Sequence, residues 1–307
     1  MSMEWVLLGC LEETRDTLAH LIHLGEKPDH IVCISREEAD RQKITNFVDM
    51  QSLSQELSIP CSVVTQYSMN SESDLSLFRK LRPRVLLVVG WQRLVPNTIL
   101  GQVELGAIGF HGSCNILPWG RGRSPINWSI IEGRNRFALH MFFIKPGVDD
   151  GDIIGIKLYD INPWDNCRSV YYKTAIAQAE LLAACLPSIR GGECPRMAQH
   201  GKEFYYPKRT PRDGRIDWNQ DAESICRLVR AVTWPYPGAI TEIDGIEVKI
   251  WDAQPFSSDF FNNATPGEIC FVTGNRMGES VVACRSGSVL LKHVESSAVI
   301  RLGNRFQ

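Results

Sequence analysis

His111 closes the short apolar run Ala107-Ile108-Gly109-Phe110 and is followed by Gly112 and Ser113. Farther along, Asp149 lies in Gly147-Val148-Asp149-Asp150-Gly151-Asp152, a string of turn-forming residues. An imidazole and a carboxylate are the common parts of acid–base and charge-stabilising catalysis. Glycines at 109, 112, 120, 122, 147 and 151 permit tight turns and close approach of backbone to a ligand. Between the two candidates runs Arg121-Gly122-Arg123-Ser124-Pro125-Ile126-Asn127-Trp128. A guanidinium matches phosphate geometry, so Arg121 and Arg123 are candidates for a phosphorylated substrate, and Asn127 for a hydroxyl. Each of these residues alone has a bland reading: a structural strand-end histidine, an ordinary turn aspartate, solvated loop arginines, a packed helix asparagine. Their grouping gives the sharper one.

The elements around them are legible. Trp5 to Leu8, Ile31 to Ile34 and Val85 to Val89 are short Val-, Ile- and Leu-rich runs, each ending at Gly or Ser, with helical patterns between them. Such runs are expected to be buried parallel strands of an open α/β sheet, whose ligands sit beyond the carboxyl ends of the strands. Ala107 to Phe110 would then deliver His111 to that edge. Gly9 is not part of a Gly-x-Gly-x-x-Gly, which gives no reason to expect a dinucleotide. Ser124 and Pro125 suit the N-cap and first turn of a helix ending near Gly133, and a longer helix is expected over Ser169 to Ile189. Pro195, Pro207 and Pro211 punctuate an expected linker over 193–215. Ile225, Leu228, Val229 and Val232 fall at helical spacing. Ile240 to Ile243 and Val248 to Trp251 flank Asp244-Gly245, a hairpin signal, and Val281 to Cys284 and Val289 to Leu291 flank Ser286-Gly287 in the same way. A small β-barrel is the natural closure of such strands. The expected domains are therefore 1–192 and 216–307.

The stretch Gly109-Phe110-His111-Gly112-Ser113, Leu117-Pro118, Arg121 to Trp128 and Gly147 to Asp152 resembles the signature of the 10-formyltetrahydrofolate-dependent formyltransferases. Tyr205 to Trp218 and Arg230 to Ala239 resemble the start of that family's C-terminal domain, so the resemblance spans nearly the whole chain. It implies an α/β fold, an open, mostly parallel Rossmann-like sheet with helices on both faces, followed by a small OB-like β-barrel. It implies a catalytic histidine at His111 and a catalytic aspartate at Asp149. The family's asparagine, two positions before the histidine, falls on Gly109, which has no side chain to donate. Two additional residues stand between Ser113 and Pro118, and Asn115 within that insertion is expected to supply the missing amide. The folate is expected against Gly90, Trp91, Gln92, Leu94 and Val95, with Asp149 on its other side. The second substrate is expected against Ser113, Arg121, Gly122, Arg123 and Asn127.

Formyl transfer is attack by a neutral amine on an activated amide carbonyl. Negative charge develops on the carbonyl oxygen, and an imidazolium held by a nearby carboxylate can stabilise it. The chemistry requires no metal, and no metal-ligand spacing is present. The resemblance leads us to expect a nucleotide-linked amino sugar as acceptor. A methionyl-tRNA formyltransferase, a folate-binding protein that has lost catalysis, and a hydrolase releasing formate remain alternatives.

Composition fits this reading. The chain has 307 residues and 44% hydrophobic content, enough for two domains. Its formal net charge is -2, without the clustered Lys and Arg that neutralise a nucleic-acid backbone. The ten cysteines form no Cys-x-x-Cys pair, which argues against a zinc ribbon and for a reducing compartment. No run approaches the roughly 20 apolar residues of a membrane span, and a signal-peptide pattern is not evident, so a cytoplasmic location is expected. A homodimer is plausible from the barrel-edge strands.

Overall fold

The computed structural model describes residues 3–274 and 279–307. Each apolar run read as a strand of the first sheet lies in one. β1 (Met3–Leu8), β2 (His30–Ile34), β3 (Cys61–Val64), β4 (Pro83–Val88) and β5 (Gly106–Ser113) pair in parallel. A short strand, β6 (Trp119–Gly122), lies outside that sheet. β7 (Arg136–Phe143), antiparallel to β5, and β8 (Ile153–Asp160) complete it in the order β3-β2-β1-β4-β5-β7-β8. The stretch 193–215, expected as a linker, contains β9 (Phe204–Tyr206), which pairs with β6.

The helices are α1 (Glu12–His23), α2 (Arg36–Arg41), α3 (Met50–Glu56), α4 (Glu72–Leu81), α5 (Asn97–Leu100), α6 (Pro125–Ile131), α7 (Cys167–Arg190) and α8 (Ala222–Val232). Ser35, Asp49 and Ser71 cap α2, α3 and α4 by accepting main-chain N–H donors.

Alternate residues of the parallel strands go to opposite faces of the sheet. Leu7, Ile31, Cys33, Val85 and Leu87 pack with Leu18 and Leu21 of α1 and with Leu182, Leu186 and Ile189 of α7. Val6, Leu8, Val32, Ile34 and Leu86 pack on the other side with Phe78 and Leu81 of α4 and Ile99 of α5. Burial on both faces is why the runs are apolar without alternation. Each such side chain contributes on the order of 1.5–3 kcal/mol.

Two compact units make up the chain. One comprises residues through Gly122, Arg136–Tyr159 and Tyr171–Tyr205; the other comprises Arg123–Asn135, Asp160–Val170 and Tyr206–Gln307. Within the second unit α6 joins α8. Asn127 Nδ2 donates to Ala231 O at 2.6 Å, and Arg227 Nε donates to Ile131 O at 3.2 Å. These ties between residues far apart in sequence are invisible to local pattern. Ser124 occupies the N-cap position of α6 but does not act as the expected cap. Its φ of 57° is left-handed and its side chain accepts no capping hydrogen bond.

The rest of that unit follows its turn signals. Asp221 caps α8, accepting from Ser224 N at 2.8 Å. β10 (Ala239–Ile243) and β11 (Ile246–Ser257) join through Asp244 (φ 51°) and Gly245 (φ 78°), the paired positive angles of a type I′ turn. β12 (Ile269–Val272), β13 (Ser280–Ala283) and β14 (Ser288–Ser296) complete an antiparallel sheet ordered β10-β11-β14-β13-β12. The C-terminal residues bond towards both edges: Phe306 N to Gly267 O, and Gln307 N to Glu242 O, each at 2.9 Å. Among the described residues this is a five-stranded antiparallel sheet whose edges are bridged by the chain terminus.

Candidate functional site

β5 carries His111 near its carboxyl end, and the turn between β7 and β8 carries Asp149. The fold brings them together, with His111 Nδ1 3.4 Å from Asp149 Oδ2. His111 Nε2 lies 2.8 Å from Gly120 O. A carbonyl oxygen only accepts, so Nε2 donates to it. The other nitrogen faces a carboxylate, and a ring with a proton on each nitrogen satisfies both partners. Asp149 Oδ2 also receives the Gly122 N–H at 3.3 Å. β6 is therefore a brace between the two groups, with Gly120 holding one and Gly122 the other.

The turn around Asp149 is tightly built. Asp149 has a φ of 52°, a left-handed conformation that Asp tolerates better than most residues. A Cβ at Gly151 would stand 1.5 Å from Phe143 O, because the backbone there crosses the end of β7. That close approach requires glycine in Asp149-Asp150-Gly151. The turn's main-chain carbonyls bond to a residue the sequence did not single out: Gln199 Nε2 donates to Asp149 O and to Gly151 O, both at 2.8 Å.

Arg121 has a different setting from the one expected. Its side chain is buried, at 5% exposure, and every nitrogen is engaged. Nε and Nη2 donate to Gln199 Oε1 at 3.1 and 2.6 Å, while Nη1 donates to Glu203 Oε1 and Tyr205 Oη at 3.0 Å. These four contacts commit its guanidinium to partners within the protein. Arg123 is exposed. Asn127 is 1% exposed, and its Nδ2 donates to Ala231 O, tying α6 to α8. Ser113 is likewise buried; its hydroxyl donates to Trp119 O at 3.0 Å and accepts the Asn115 N–H at 3.2 Å, closing the inserted loop. Asn115 itself is exposed on that loop.

Gly109 has a packing reason. A Cβ there would approach Ile144 Cγ1 to 3.0 Å and Cδ1 to 3.1 Å. The space a longer side chain would use belongs to Ile144.

His140 lies opposite His111 in the β5–β7 register and is fully buried. Its Nδ1 donates to His111 O at 3.1 Å, and its Nε2 accepts the Leu117 N–H at 3.3 Å. Burial, chiefly, pushes its pKa down to about 4, with the charge of His111 acting in the same direction and its bond to the His111 carbonyl opposing. It is a neutral strut linking the inserted loop to the backbone of His111.

The loop after β4 mixes packed and open residues. Gly90 has a φ of 64°, and a Cβ there would meet Thr14 Oγ1 at 2.5 Å. The Gln92 N–H is donated to Tyr67 Oη at 2.7 Å, and Val95 is core. Leu94 is 61% exposed. Trp91 meets Tyr67 edge to face, centroids 4.6 Å apart, and its buried indole N–H has no acceptor among the described residues.

The second unit holds a cavity of about 860 Å³ lined by Trp164, Trp234 and Trp251 with both Glu223 and Arg230. Its mixed charge selects no class of ligand.

Residues 18–186 match the family model described as formyl transferase, and residues 208–302 match the formyl transferase C-terminal domain. The chain belongs to the formyl transferase family. It is an enzyme that transfers formyl groups, and 10-formyltetrahydrofolate is the family's cosubstrate. A methionyl-tRNA formyltransferase of Geotalea uraniireducens is 28% identical to this formyltransferase over 301 residues, 98% of this chain and 92% of that one. HypX of Aquifex aeolicus, solved in complex with tetrahydrofolic acid, matches with a TM-score of 0.65 at 17% identity, covering 97% of this chain and 45% of HypX. This chain thus spans less than half of HypX. An N-formyltransferase of Helicobacter canadensis, solved with folinic acid and dTDP-3-aminofucose, matches with a TM-score of 0.64 at 14% identity, covering 96% and 100% of the two chains. At these identities the two structures share the fold. Among the described residues of the formyltransferase no helix is long and apolar enough to cross a membrane.

Proposed function

We propose that this formyltransferase moves the formyl group of 10-formyltetrahydrofolate onto the primary amine of a nucleotide-linked amino sugar, with His111 and Asp149 as its catalytic pair. The observation that carries the catalytic part is the 3.4 Å approach of His111 Nδ1 to Asp149 Oδ2 at the carboxyl end of β5. The amine nitrogen bonds to the formyl carbon, the bond from that carbon to the folate nitrogen breaks, and one proton passes from the amine to that nitrogen. His111 stabilises the negative charge that develops on the formyl oxygen. The Asp149 carboxylate, 3.4 Å from the ring, takes part in moving the amine's proton. Asn115 supplies the amide that Gly109 cannot. The orphan indole N–H of Trp91 and the exposed Leu94 fit a flat heterocycle with an acceptor edge, which supports a pterin at this loop.

For the acceptor, the net charge of -2 without a basic cluster favours a small molecule over an RNA. The dTDP-aminosugar bound to the Helicobacter canadensis protein supports an acceptor of that class. A second reading, methionyl-tRNA as acceptor, is favoured by the nearly full-length similarity to the Geotalea enzyme. Incubation with 10-formyltetrahydrofolate and either a panel of dTDP- and UDP-linked amino sugars or charged initiator tRNA separates them. A formyl mass gain on a sugar, with indifference to tRNA, is the expected result. Salt-dependent turnover of tRNA alone would overturn it in favour of the second reading.

A further inference from the structure

Gln199 lies far from His111 and Asp149 in sequence, in a stretch that reads as a linker. In the structure it stands between a buried cation and the catalytic turn. Its orientation is fixed by chemistry. Arg121 offers only donors, so the oxygen of the Gln199 amide must face Nε and Nη2, at 3.1 and 2.6 Å. The amide nitrogen is then turned to Asp149 O and Gly151 O, and each contact is 2.8 Å. Both of its protons are used. Arg121 is itself immobilised by Glu203 and Tyr205. The result is a rigid chain of contacts, from Glu203 and Tyr205 through Arg121 and Gln199 to the main chain on either side of Asp150. The hold bears on a turn in which Asp149 adopts the left-handed region, with a φ of 52°.

We infer that Gln199 is a positioning residue of the formyl-transfer site: its carboxamide, oriented by Arg121, fixes the main chain of the Asp149 turn and so sets the Asp149 carboxylate against His111. This rests on the reading of His111 and Asp149 as the working pair. Gln199 touches no reacting atom in this scheme. It acts through the geometry of Asp149, where a displacement of about 1 Å can cost on the order of 100-fold in rate.

Two variants separate positioning from plain support. Gln199→Glu keeps an oxygen for Arg121 and turns that contact into an ion pair, while placing an acceptor against two carbonyls. Gln199→Ala removes both contacts. Asp149→Asn is the benchmark. For each protein, kcat and KM with 10-formyltetrahydrofolate are measured with the acceptor found in the panel above. Thermal melting checks that each variant is folded at the assay temperature, with Gln199→Met in reserve. The expected result is that both Gln199 variants lose turnover, in the same direction as Asp149→Asn, because the carboxylate is no longer set against His111. In the same variants kcat should fall by about 10- to 100-fold while KM for the folate changes little. Folded Gln199 variants with unaltered kcat, beside an Asp149→Asn that has lost it, would overturn the inference and leave the pair intact. An Asp149→Asn with unaltered kcat would overturn the pair, and the inference with it.

Discussion

His111 and Asp149 meet across β6: the ring donates to Gly120 O at 2.8 Å, the carboxylate accepts from Gly122 N at 3.3 Å, and the two side chains stand 3.4 Å apart. Neither contact is available to a histidine or an aspartate outside this fold. Replacing Asp149 with Asn keeps the shape and removes the charge. Turnover should drop by on the order of 100-fold or more, as for loss of one transition-state-stabilising group, with the melting temperature nearly unchanged. Steady-state kinetics beside a melting curve decides it; full turnover would dismiss Asp149 from the mechanism.

Restoring the family's asparagine at Gly109 should fail. The added side chain meets Ile144 at 3.0–3.1 Å, tighter than ordinary contact. Gly109→Asn alone should destabilise by roughly 1–3 kcal/mol through overpacking, without a gain in kcat. Pairing it with Ile144→Ala should recover much of the lost stability. A stable, faster single variant would show that the space is not Ile144's.

His140 makes stability depend on pH. Its folded-state pKa is about 4, below the value near 6.5 of a free imidazole. Between those values the unfolded chain takes up a proton that the folded chain refuses. Its contribution is thus fully present above about pH 6.5 and is lost as pH falls towards 4, on the order of 3 kcal/mol in all. Denaturant melts at a series of pH values should show less acid-side loss in His140→Gln than in the parent protein. Identical slopes in the two proteins would contradict this account.

Asn127 distinguishes a tie from a ligand. Asn127→Ala leaves Ala231 O without its 2.6 Å donor, and an unsatisfied buried carbonyl costs roughly 1–3 kcal/mol. The melting temperature should fall while KM for the acceptor stays put. A raised KM at unchanged stability would return Asn127 to the substrate.

The type I′ hairpin at Asp244-Gly245, the two-faced parallel strands, His111 at a strand end and the Asp149-x-Gly151 turn were all legible in the sequence, because each is set by local stereochemistry or by a long motif. What local pattern could not carry was the use to which side chains are put. Arg121 and Asn127 are polar residues beside a catalytic motif, and nothing within a few positions tells whether a guanidinium faces a phosphate or Gln199. Only the packed fold supplies the distant partners, Gln199, Glu203 and Tyr205 for one and Ala231 for the other. A buried polar group must be satisfied, and its partner need not be near in sequence. Sequence therefore determined which residue types reach the site, while tertiary structure decided which of them remain free to meet a ligand.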